Sequence, residues 1–264
     1  MRNLTIALLQ QELAWEDPAA NREQFGASIA GLDSDTDLVI LPEMFTTGFS
    51  MNAEEVAEDG ATSTLPWLQE LASSHDVAIT GSLAVREGGE VFNRLLFVTP
   101  DGQYQHYDKR HRFRMSGEDK HYGAGADKLI VQWRDWRICP MICYDLRFPV
   151  WTRNRPTDHT EAYDALIFVA NWPAKRRQHW RQLLIARAIE NQAYCIGLNR
   201  VGSDGNGLDY SGDSLVLAAD GELLLDCEDQ PGIFSATLDA QRMQTYRDKF
   251  PCHKDADEFR LEPE

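Results

Sequence analysis

Apolar runs of strand length alternate with helical patterns in both halves of the chain, and few folds accommodate this alternation. In the first half, Leu4–Gln10 and Asp37–Glu43 read as strands and Pro18–Gly31 between them reads as a helix. The second half repeats this order with Ala165–Ala170, Lys175–Asn191 and Ala193–Arg200. A β-α-β order places its two strands as neighbours in one sheet. The chain therefore belongs to the α/β class.

Further elements fill the intervals between these units. The helical pattern of Thr62–His75 has Pro66 near its start, and the additional strand-like runs are Val77–Val85, Val91–Thr99, Gly102–Asp108, Leu129–Trp133, Trp136–Cys143, Ser214–Ala219, Glu222–Leu225 and Ile233–Leu238. So many strands with two sets of helices predict two packed sheets covered by helices. No linker composition interrupts the chain, so we expect one domain over residues 1–264.

Two local features qualify this prediction. Pro140 lies inside the run Trp136–Cys143, and proline lacks the N–H that a ladder needs. It must therefore face away from a neighbouring strand, or the strand must bend there. The glycine-rich segment Gly202–Gly212 has the wrong order of glycines for a phosphate-binding loop and precedes no helical pattern. It is interpreted as a flexible loop.

Composition limits the possible partners and the compartment. The formal net charge of −16 disfavours binding to nucleic acid or to an anionic membrane surface. The first ten residues lack the long apolar core of a signal peptide, and no run reaches the length of a membrane span. Five irregularly spaced cysteines favour reduced thiols over a disulfide framework. These observations predict a cytoplasmic protein.

One stretch, Arg137–Pro149, carries the strongest chemical signal. Its apolar run ends at Cys143, and Tyr144, Asp145 and Arg147 follow at once. Groups just past the end of a buried strand lie where α/β proteins build their sites. The alternative interpretation of Cys143 is a small buried hydrophobic side chain, which is the usual role of cysteine.

Two other strand-like runs also end in reactive side chains. Leu41-Pro42-Glu43 ends in a carboxylate, and Tyr107-Asp108-Lys109 ends in an amine. A free thiol is only a few per cent ionised at neutral pH, so a nucleophilic cysteine needs a base or a cation nearby. A carboxylate can act as the base, and a lysine can stabilise negative charge. Taken singly, Glu43 could be a strand cap and Lys109 part of a solvated basic run.

Taken together and in this order, Glu43, Lys109 and Cys143 resemble the Glu-Lys-Cys triad of the carbon–nitrogen hydrolase (nitrilase) superfamily. The resemblance extends to Asn171-Trp172-Pro173 and to the segment 187–192, and so spans nearly the whole chain. It is most similar to the ω-amidase subgroup, which hydrolyses 2-oxoglutaramate and related ω-amides of dicarboxylic acids. The resemblance implies a four-layer α-β-β-α sandwich, a homodimer, and no metal or organic cofactor.

The resemblance also implies roles for individual residues. Glu43 would be the general base, Cys143 the nucleophile, and Lys109 with the backbone N–H of Tyr144 would stabilise the oxyanion. A second glutamate follows the lysine motif in the family; Glu118 is the best match here, and Asp119 is the competing candidate.

Substrate choice can be predicted from residues near Cys143. A carboxylate-bearing substrate needs a local cation in so acidic a protein, and Arg147, four residues beyond the thiol, could bind it with its planar fork. A salt bridge from Arg147 to Asp145 is the structural alternative. Trp172 could form the apolar wall beside the substrate's methylenes. Residues 148–151, apolar and next to the site, are the expected dimer contact.

Two other classes of function remain open from the sequence. A metal-dependent phosphoesterase on a similar sandwich would use acids and histidines such as Asp145, His159 and Asp213. A non-catalytic relative would bind a small ligand or a protein with an unreactive Cys143. Neither accounts for the ordered set of glutamate, lysine and cysteine. A thiol-dependent amidase acting on a small amide is the leading prediction.

Overall fold

The structure, a computed structural model, describes residues 1–155, 162–259 and 261. Its strands are β1 (Leu4–Gln10), β2 (Leu38–Ile40), β3 (Glu58–Asp59), β4 (Ala78–Glu87), β5 (Glu90–Val98), β6 (Tyr104–Asp108), β7 (Val131–Trp133), β8 (Trp136–Ile142), β9 (Ala165–Ala170), β10 (Tyr194–Asn199), β11 (Val201–Ser203), β12 (Asp209–Ser211), β13 (Leu215–Leu217), β14 (Leu223–Asp226) and β15 (Gly232–Leu238). Its α-helices are α1 (Pro18–Ala30), α2 (Ala53–Val56), α3 (Thr64–His75), α4 (Glu118–His121), α5 (Pro149–Thr152), α6 (Arg177–Asn191) and α7 (Ala240–Lys249).

The long strands form two mixed sheets. The first sheet has the order β15-β1-β2-β4-β5-β6, with β3 beside β4, and the second has the order β14-β13-β10-β9-β8-β7. In each sheet the central strands are parallel, and antiparallel strands flank them. The carboxyl ends of the central parallel strands carry the loops that hold the site, as is usual in α/β proteins.

The period-two pattern of β1 shows how the layers are built. Leu4, Ile6 and Leu8 belong to the buried cluster shared with the second sheet. Ala7 and Leu9 face the other way, into the cluster formed with α1 and α3. Alternate side chains on a strand point to opposite faces, so both faces of this sheet are buried. The second sheet is covered in turn by side chains of α6 and α7 in the shared cluster. The α-β-β-α sandwich is therefore confirmed.

A glycine allows the closest approach between α6 and the second sheet. A Cβ built at Gly197 of β10 would lie 2.4 Å from Leu184 and 2.7 Å from Trp180 of the helix. These distances are far below a normal contact, so the helix could not pack here against a larger residue. The same helix brings its N-terminal turn, Ala174–Arg176, to the carboxyl end of β9.

The structure resolves the question that Pro140 raised. Strand β7 pairs with β8 only opposite residues 136–138, whereas β9 pairs with β8 as far as Ile142. Pro140 therefore lies where β8 has a partner on one side only, which is where a strand tolerates proline. The register with β9 runs on through this position.

The interpretation of Gly202–Gly212 as a flexible loop was wrong. Residues 201–203 and 209–211 pair as an antiparallel hairpin, β11-β12. Asp204 stabilises its turn by accepting hydrogen bonds from the backbone N–H groups of Asn206 (2.8 Å) and Leu208 (3.0 Å). The prediction of a single domain over residues 1–264 stays a prediction.

Candidate active site

Cys143 lies at the end of β8, where the chain turns sharply. It begins a 3₁₀ turn, Cys143–Arg147, and has a left-handed backbone conformation with φ of +42°. A residue other than glycine adopts this conformation only where its surroundings fix it, and such positions are common at active sites. Cys143 is 9% exposed, and its Sγ lies 3.9 Å from the carbonyl oxygen of Asn171.

Asp145 anchors this turn from within the protein. The side chain is fully buried and accepts hydrogen bonds from the backbone N–H of Ile142 (3.1 Å), the hydroxyl of Tyr107 (2.8 Å) and the backbone N–H of His111 (3.1 Å). The His111 ring contacts the same carboxylate, with Nδ1 2.7 Å from Oδ1. Asp145 thus ties the turn that carries Cys143 to the segment that carries Lys109.

Glu43 is fixed by hydrogen bonds from both sheets. It lies three residues beyond β2, in the turn that follows Pro42, and is completely buried. Its Oε1 accepts hydrogen bonds from Lys109 Nζ (2.8 Å) and Asn93 Nδ2 (2.9 Å), and its Oε2 accepts one from the backbone N–H of Asn171 (2.8 Å). A carboxylate held by so many donors has a single orientation, as a general base requires.

Lys109 follows β6 directly and lies between two carboxylates. Its Nζ donates to Glu43 and also to Glu118, at 2.9 Å from Oε1 and 3.0 Å from Oε2. Burial by itself would lower the pKa of this amine, but the charges of Glu118 and Glu43 outweigh it and raise the pKa well above its usual range. Lys109 is therefore a cation, and Phe49 faces it with its ring centroid 5.0 Å from Nζ.

Glu118, the first residue of α4, is the second glutamate that contacts Lys109, beside Glu43. It also accepts a hydrogen bond from the backbone N–H of Phe113. Burial raises the pKa of Glu118, and Lys109 opposes that rise. Asp119, the competing candidate, instead lies 3.7 Å from Arg114 Nε. The geometry favours Glu118 over Asp119.

The Cys143 thiol is protonated at rest. Burial raises its pKa well above the usual range, and the charge of Glu43 and a hydrogen bond to Glu43 raise it further, while Lys109 acts in the opposite direction. The thiol therefore needs to lose its proton at the moment of attack, and Glu43 is in place to accept it. These four residues, Glu43, Lys109, Glu118 and Cys143, are called the buried cluster below.

A cavity of about 320 Å³ opens onto Cys143 and Lys109. It is lined by Phe49, Met51, Lys109, Phe113, Ser116, Cys143, Tyr144, Arg147, Asn171, Trp172, Pro173, Arg176, Asp204, Asn206, Leu208 and Tyr210. Its volume is at the lower end of the range for ligand pockets, which suits a small substrate. Tyr144, Arg147 and Trp172, predicted from the sequence to contact substrate, all lie in its wall.

Arg147 is held by an aromatic ring. Its guanidinium carbon lies 4.6 Å from the ring centroid of Trp172, and its Nη2 is 3.2 Å from Nδ1 of His179. The alternative salt bridge to Asp145 is not formed, since that carboxylate is used by Tyr107, His111 and Ile142. In the part of the chain that the structure describes, Arg147 has no carboxylate partner.

Residues 5–248 match the model of the carbon-nitrogen hydrolase family. The chain belongs to the carbon-nitrogen hydrolase family. The resemblance seen in the sequence is thus confirmed.

Individual members of the family are similar over their full length. The omega-amidase YafV of Yersinia enterocolitica is 47% identical over 262 residues, which cover 99% of this chain and 100% of that protein. The 2-oxoglutaramate amidase of Bacillus subtilis is 33% identical over 254 residues, covering 95% of this chain and 96% of that one. The crystal structure of a CN-hydrolase superfamily protein from Xanthomonas campestris, with an arsenic adduct in its active site, is 45% identical, with a TM-score of 0.97 and coverage of 99% and 100%.

Several residues of the carbon-nitrogen hydrolase site were not identified from the sequence. Asn93 and Asn171 hold Glu43. Asn171 belongs to a segment that carries the family resemblance but was given no role there, and no pattern in the sequence points to Asn93. Arg176 falls in the predicted helix Lys175–Asn191, and the hairpin residues Asp204 and Tyr210 fall in the predicted flexible loop. Their place in the cavity wall depends on contacts between segments distant in sequence.

The described residues proposed for a phosphoesterase, Asp145 and Asp213, are held by partners other than a metal. Asp213 is paired with Arg177 (2.6 Å) and Arg181 (3.2 Å), and Asp145 is engaged as described. His159 lies outside the described residues. Among the residues that the structure describes, no group of three or more His, Cys, Asp or Glu side chains could hold a metal ion. Likewise, no helix within these residues is long and apolar enough to cross a membrane.

The expected dimer contact at residues 148–151 stays a prediction, and the structure limits the side chains that could make it. Trp151 is 6% exposed, and its indole N–H donates to the Tyr107 hydroxyl (3.1 Å). Phe148 stacks on His111 with ring centroids 3.7 Å apart. Both rings support the turn of Cys143 from inside the chain. Only Pro149 and Val150 of this segment are exposed.

Proposed function

We propose that this carbon-nitrogen hydrolase is an ω-amidase. It hydrolyses the ω-amide of a small dicarboxylic acid, of the 2-oxoglutaramate or 2-oxosuccinamate type, to the acid and ammonia. The observation that carries the proposal is the buried cluster beside a small cavity whose wall holds Arg147, an arginine without a carboxylate partner among the described residues. The full-length similarity to proteins named omega-amidase and 2-oxoglutaramate amidase supports the same reaction.

The first half-reaction acylates Cys143. Glu43 removes the thiol proton as Sγ attacks the amide carbonyl and the S–C bond forms. The oxyanion that develops is stabilised by the ammonium of Lys109 and the backbone N–H of Tyr144. Glu43 then gives its proton to the amide nitrogen, the C–N bond breaks, and ammonia leaves a thioester on Cys143.

The second half-reaction returns the enzyme to its resting state. Glu43 removes a proton from water, and the resulting hydroxide attacks the thioester carbonyl. The C–S bond of the second tetrahedral intermediate breaks, and the thiolate regains its proton from Glu43. Glu118 keeps Lys109 in position throughout, because its two oxygens hold the ammonium at 2.9 and 3.0 Å. No step needs a metal or an organic cofactor.

Arg147 is proposed to bind the carboxylate at the far end of the substrate. The protein's charge of −16 repels anions at long range, so binding depends on a local cation. Arg147 presents a guanidinium to the cavity without a carboxylate partner among the described residues. Trp172, 3% exposed and in the same wall, packs beside the substrate's methylene groups.

The site and its setting suggest two further properties. We propose that the protein is a homodimer, because the family resemblance implies dimerisation and most soluble oligomers are symmetric assemblies of identical chains. The exposed Val150, beside the turn of Cys143, is a candidate for the contact. Sedimentation that detects only a monomer at micromolar concentration would contradict the dimer. A cytoplasmic location is proposed from the reduced state of all five cysteines.

The test measures ammonia release from 2-oxoglutaramate and from a neutral amide. Activity should survive a chelator and disappear when Cys143 is alkylated; loss of activity in chelator alone would instead favour the phosphoesterase. Arg147→Met should cost about 2–4 kcal/mol in kcat/KM for 2-oxoglutaramate, the range for truncating one partner of a charge pair. The neutral amide should be affected far less. Equal losses on both amides would mean that Arg147 is structural.

A further inference from the structure

We infer that Arg176 is a second anion-binding residue of the cavity and that it acts with Arg147 on the substrate's carboxylate. The inference deepens the proposed function and rests on it for the identity of the substrate. The expected preference of the cavity for an anion does not depend on the proposed function, because that preference can be measured without turnover. Arg147 and Arg176 are called the arginine pair below.

Arg176 is placed by the backbone at the edge of the cavity. It ends the 3₁₀ turn Ala174–Arg176, just before α6, and is half-buried in the cavity wall. Its carbonyl oxygen accepts a hydrogen bond from the indole N–H of Trp172 at 2.9 Å. The ring of Trp172 in turn supports Arg147. One tryptophan therefore fixes both members of the arginine pair relative to Cys143.

The head group of Arg176 is supported by a second aromatic residue. Its guanidinium carbon lies 5.3 Å from the ring centroid of Phe113, and Phe113 packs edge-on against Tyr144 at 5.0 Å. Cation–π contacts hold a guanidinium in place while leaving its N–H groups available to a ligand. Both arginines of the pair are held in this way.

The absence of a counter-ion distinguishes the pair from nearby arginines. Arg177, the next residue, pairs with Asp213 at 2.6 Å, and Arg181 pairs with Asp226 at 2.5 Å. Within the described residues, neither Arg147 nor Arg176 has such a partner. In a chain with 42 acidic residues, two adjacent unpaired arginines at one cavity indicate a site for an anion that comes from outside.

Electrostatics in the cavity agree with this arrangement. The pKa of Arg147 is lowered first by burial and then by the charge of Arg176. The two guanidinium groups thus repel each other in the unliganded protein, and a carboxylate between them would relieve that repulsion. Asp204, the carboxylate in the described cavity wall, is not available to relieve this repulsion. Its Oδ1 accepts hydrogen bonds from two backbone N–H groups, and its Oδ2 accepts one from the Tyr210 hydroxyl at 2.8 Å.

The experiment uses an affinity label of Cys143 in place of the substrate. 5-Chloro-4-oxopentanoate is attacked at its chloromethyl carbon, and its carboxylate is separated from that carbon by as many bonds as in glutaramate. Its methyl ester is the neutral match. The ratio of the two inactivation rates measures how strongly the cavity favours an anion. Cys252, the partly exposed cysteine, is replaced by serine in every variant so that labelling reports on Cys143.

We expect the wild-type protein to react faster with the acid than with the ester. Arg176→Met should lower the acid-over-ester ratio about tenfold, as should Arg147→Met, with little change for the ester. Arg176→Lys should keep part of the preference. Lys175→Met is the matched control, since it removes a neighbouring exposed charge that does not line the cavity, and it should leave the ratio unchanged.

Two results would overturn the inference. The first is an acid-over-ester ratio that is unchanged in Arg176→Met although it falls in Arg147→Met. The second is an equal loss of the acid and ester inactivation rates in Arg176→Met at an unchanged melting temperature. If Arg176→Met does not fold, Arg176→Gln replaces it. A ratio that falls as expected in a protein without ω-amidase turnover would refute the proposed function and support anion binding by Arg176. Normal turnover with an unchanged ratio in Arg176→Met would support the proposed function and refute anion binding by Arg176.

Discussion

The buried cluster, through Lys109 and Cys143, and the arginine pair face the same cavity, but the two regions are held in opposite ways. In the cluster, Glu43, Glu118 and Lys109 are 0–1% exposed and saturated by hydrogen bonds from two sheets and from backbone N–H groups. In the pair, the guanidinium groups are half-buried, rest on aromatic rings, and lack carboxylate partners among the described residues. Both regions face a single cavity of about 320 Å³.

This contrast separates the needs of chemistry from those of binding. A general base and an oxyanion donor must keep one orientation and one protonation state, so they are fixed by internal partners before substrate arrives. A residue that recognises an anion must keep its partner position open for the ligand. Variants in the cluster should therefore affect kcat and stability, and variants in the pair should affect the discrimination between substrates.

The largest expected effect is that of Cys143→Ala. It removes the nucleophile, and no other residue of the cluster can form the thioester. We expect a loss of roughly 10⁴-fold or more in kcat, as for nucleophiles of other acyl-transfer enzymes. The melting temperature should change little, and ammonia release is the measurement. Substantial amidase activity in this variant would end the proposal of thioester catalysis.

The next largest effect is expected when the general base is removed, and the same variant tests the direction in which the pKa of Cys143 changes. Glu43→Gln should lose about 10²–10⁴-fold in rate for each proton transfer that it serves. Because the charge of Glu43 raises the pKa of Cys143, the same variant should lower that pKa. The thiolate would then form at lower pH, although turnover is lost.

Lys109→Met should have the opposite effect on the thiol, because Lys109 lowers the pKa of Cys143. The measurement is the pH dependence of Cys143 alkylation by iodoacetamide, mapped by mass spectrometry in a Cys252→Ser background. The curve should move to lower pH in Glu43→Gln and to higher pH in Lys109→Met. Shifts in the same direction would contradict the assigned geometry.

How much of this could be predicted from the sequence differs between the two regions. Glu43, Lys109 and Cys143 each end or directly follow a strand-like run, so these runs located them, and the family and the amidase class were implied by the resemblance of this ordered set to the Glu-Lys-Cys triad. Cys143 and Lys109 lie in the cavity wall, and Glu43 directly beneath it. Local patterns are informative here because each of these reactive side chains lies just beyond the end of a strand.

The rest could not be predicted, because it depends on long-range packing. Arg176 looks like any basic residue at the start of a helix, and only the contacts with Trp172 and Phe113 place it at the cavity. Helix α7 was not predicted, because its inward face holds few apolar residues: Ala240 and Met243 are buried beside Arg247. Its start is fixed by Asp239, which accepts a hydrogen bond from the backbone N–H of Arg242 at 3.0 Å.

A smaller effect, on stability, distinguishes the regions directly. Lys109→Met leaves Glu43 and Glu118 buried without their shared cation, and breaking a buried ion pair costs about 3–5 kcal/mol in the free energy of unfolding. The pKa of Lys109 is raised in the folded protein, so its contribution is complete at neutral pH and is lost only as pH rises through the folded pKa. Denaturant unfolding measures this change in the free energy of unfolding.

The activity of Lys109→Met should be lost chiefly through a lower kcat. A change in KM alone would mean that Lys109 does not stabilise the oxyanion.

The smallest effect is expected for Arg176→Met in the same unfolding experiment. This variant breaks no ion pair among the described residues and removes a charge that repels Arg147, while losing the contact with Phe113. These terms nearly cancel, so the free energy of unfolding should change by no more than about 0.5 kcal/mol.

Glutarate, an unreactive dicarboxylate, should distinguish loss of anion binding from loss of stability. At about ten times its Kd it should stabilise the wild-type protein by about 1.4 kcal/mol, because it binds only the folded state. At the same concentration it should stabilise Arg176→Met much less and Lys175→Met as much as the wild type. A loss of 2 kcal/mol or more (about four times the expected limit) in unliganded Arg176→Met would show that this arginine supports the fold as the cluster does.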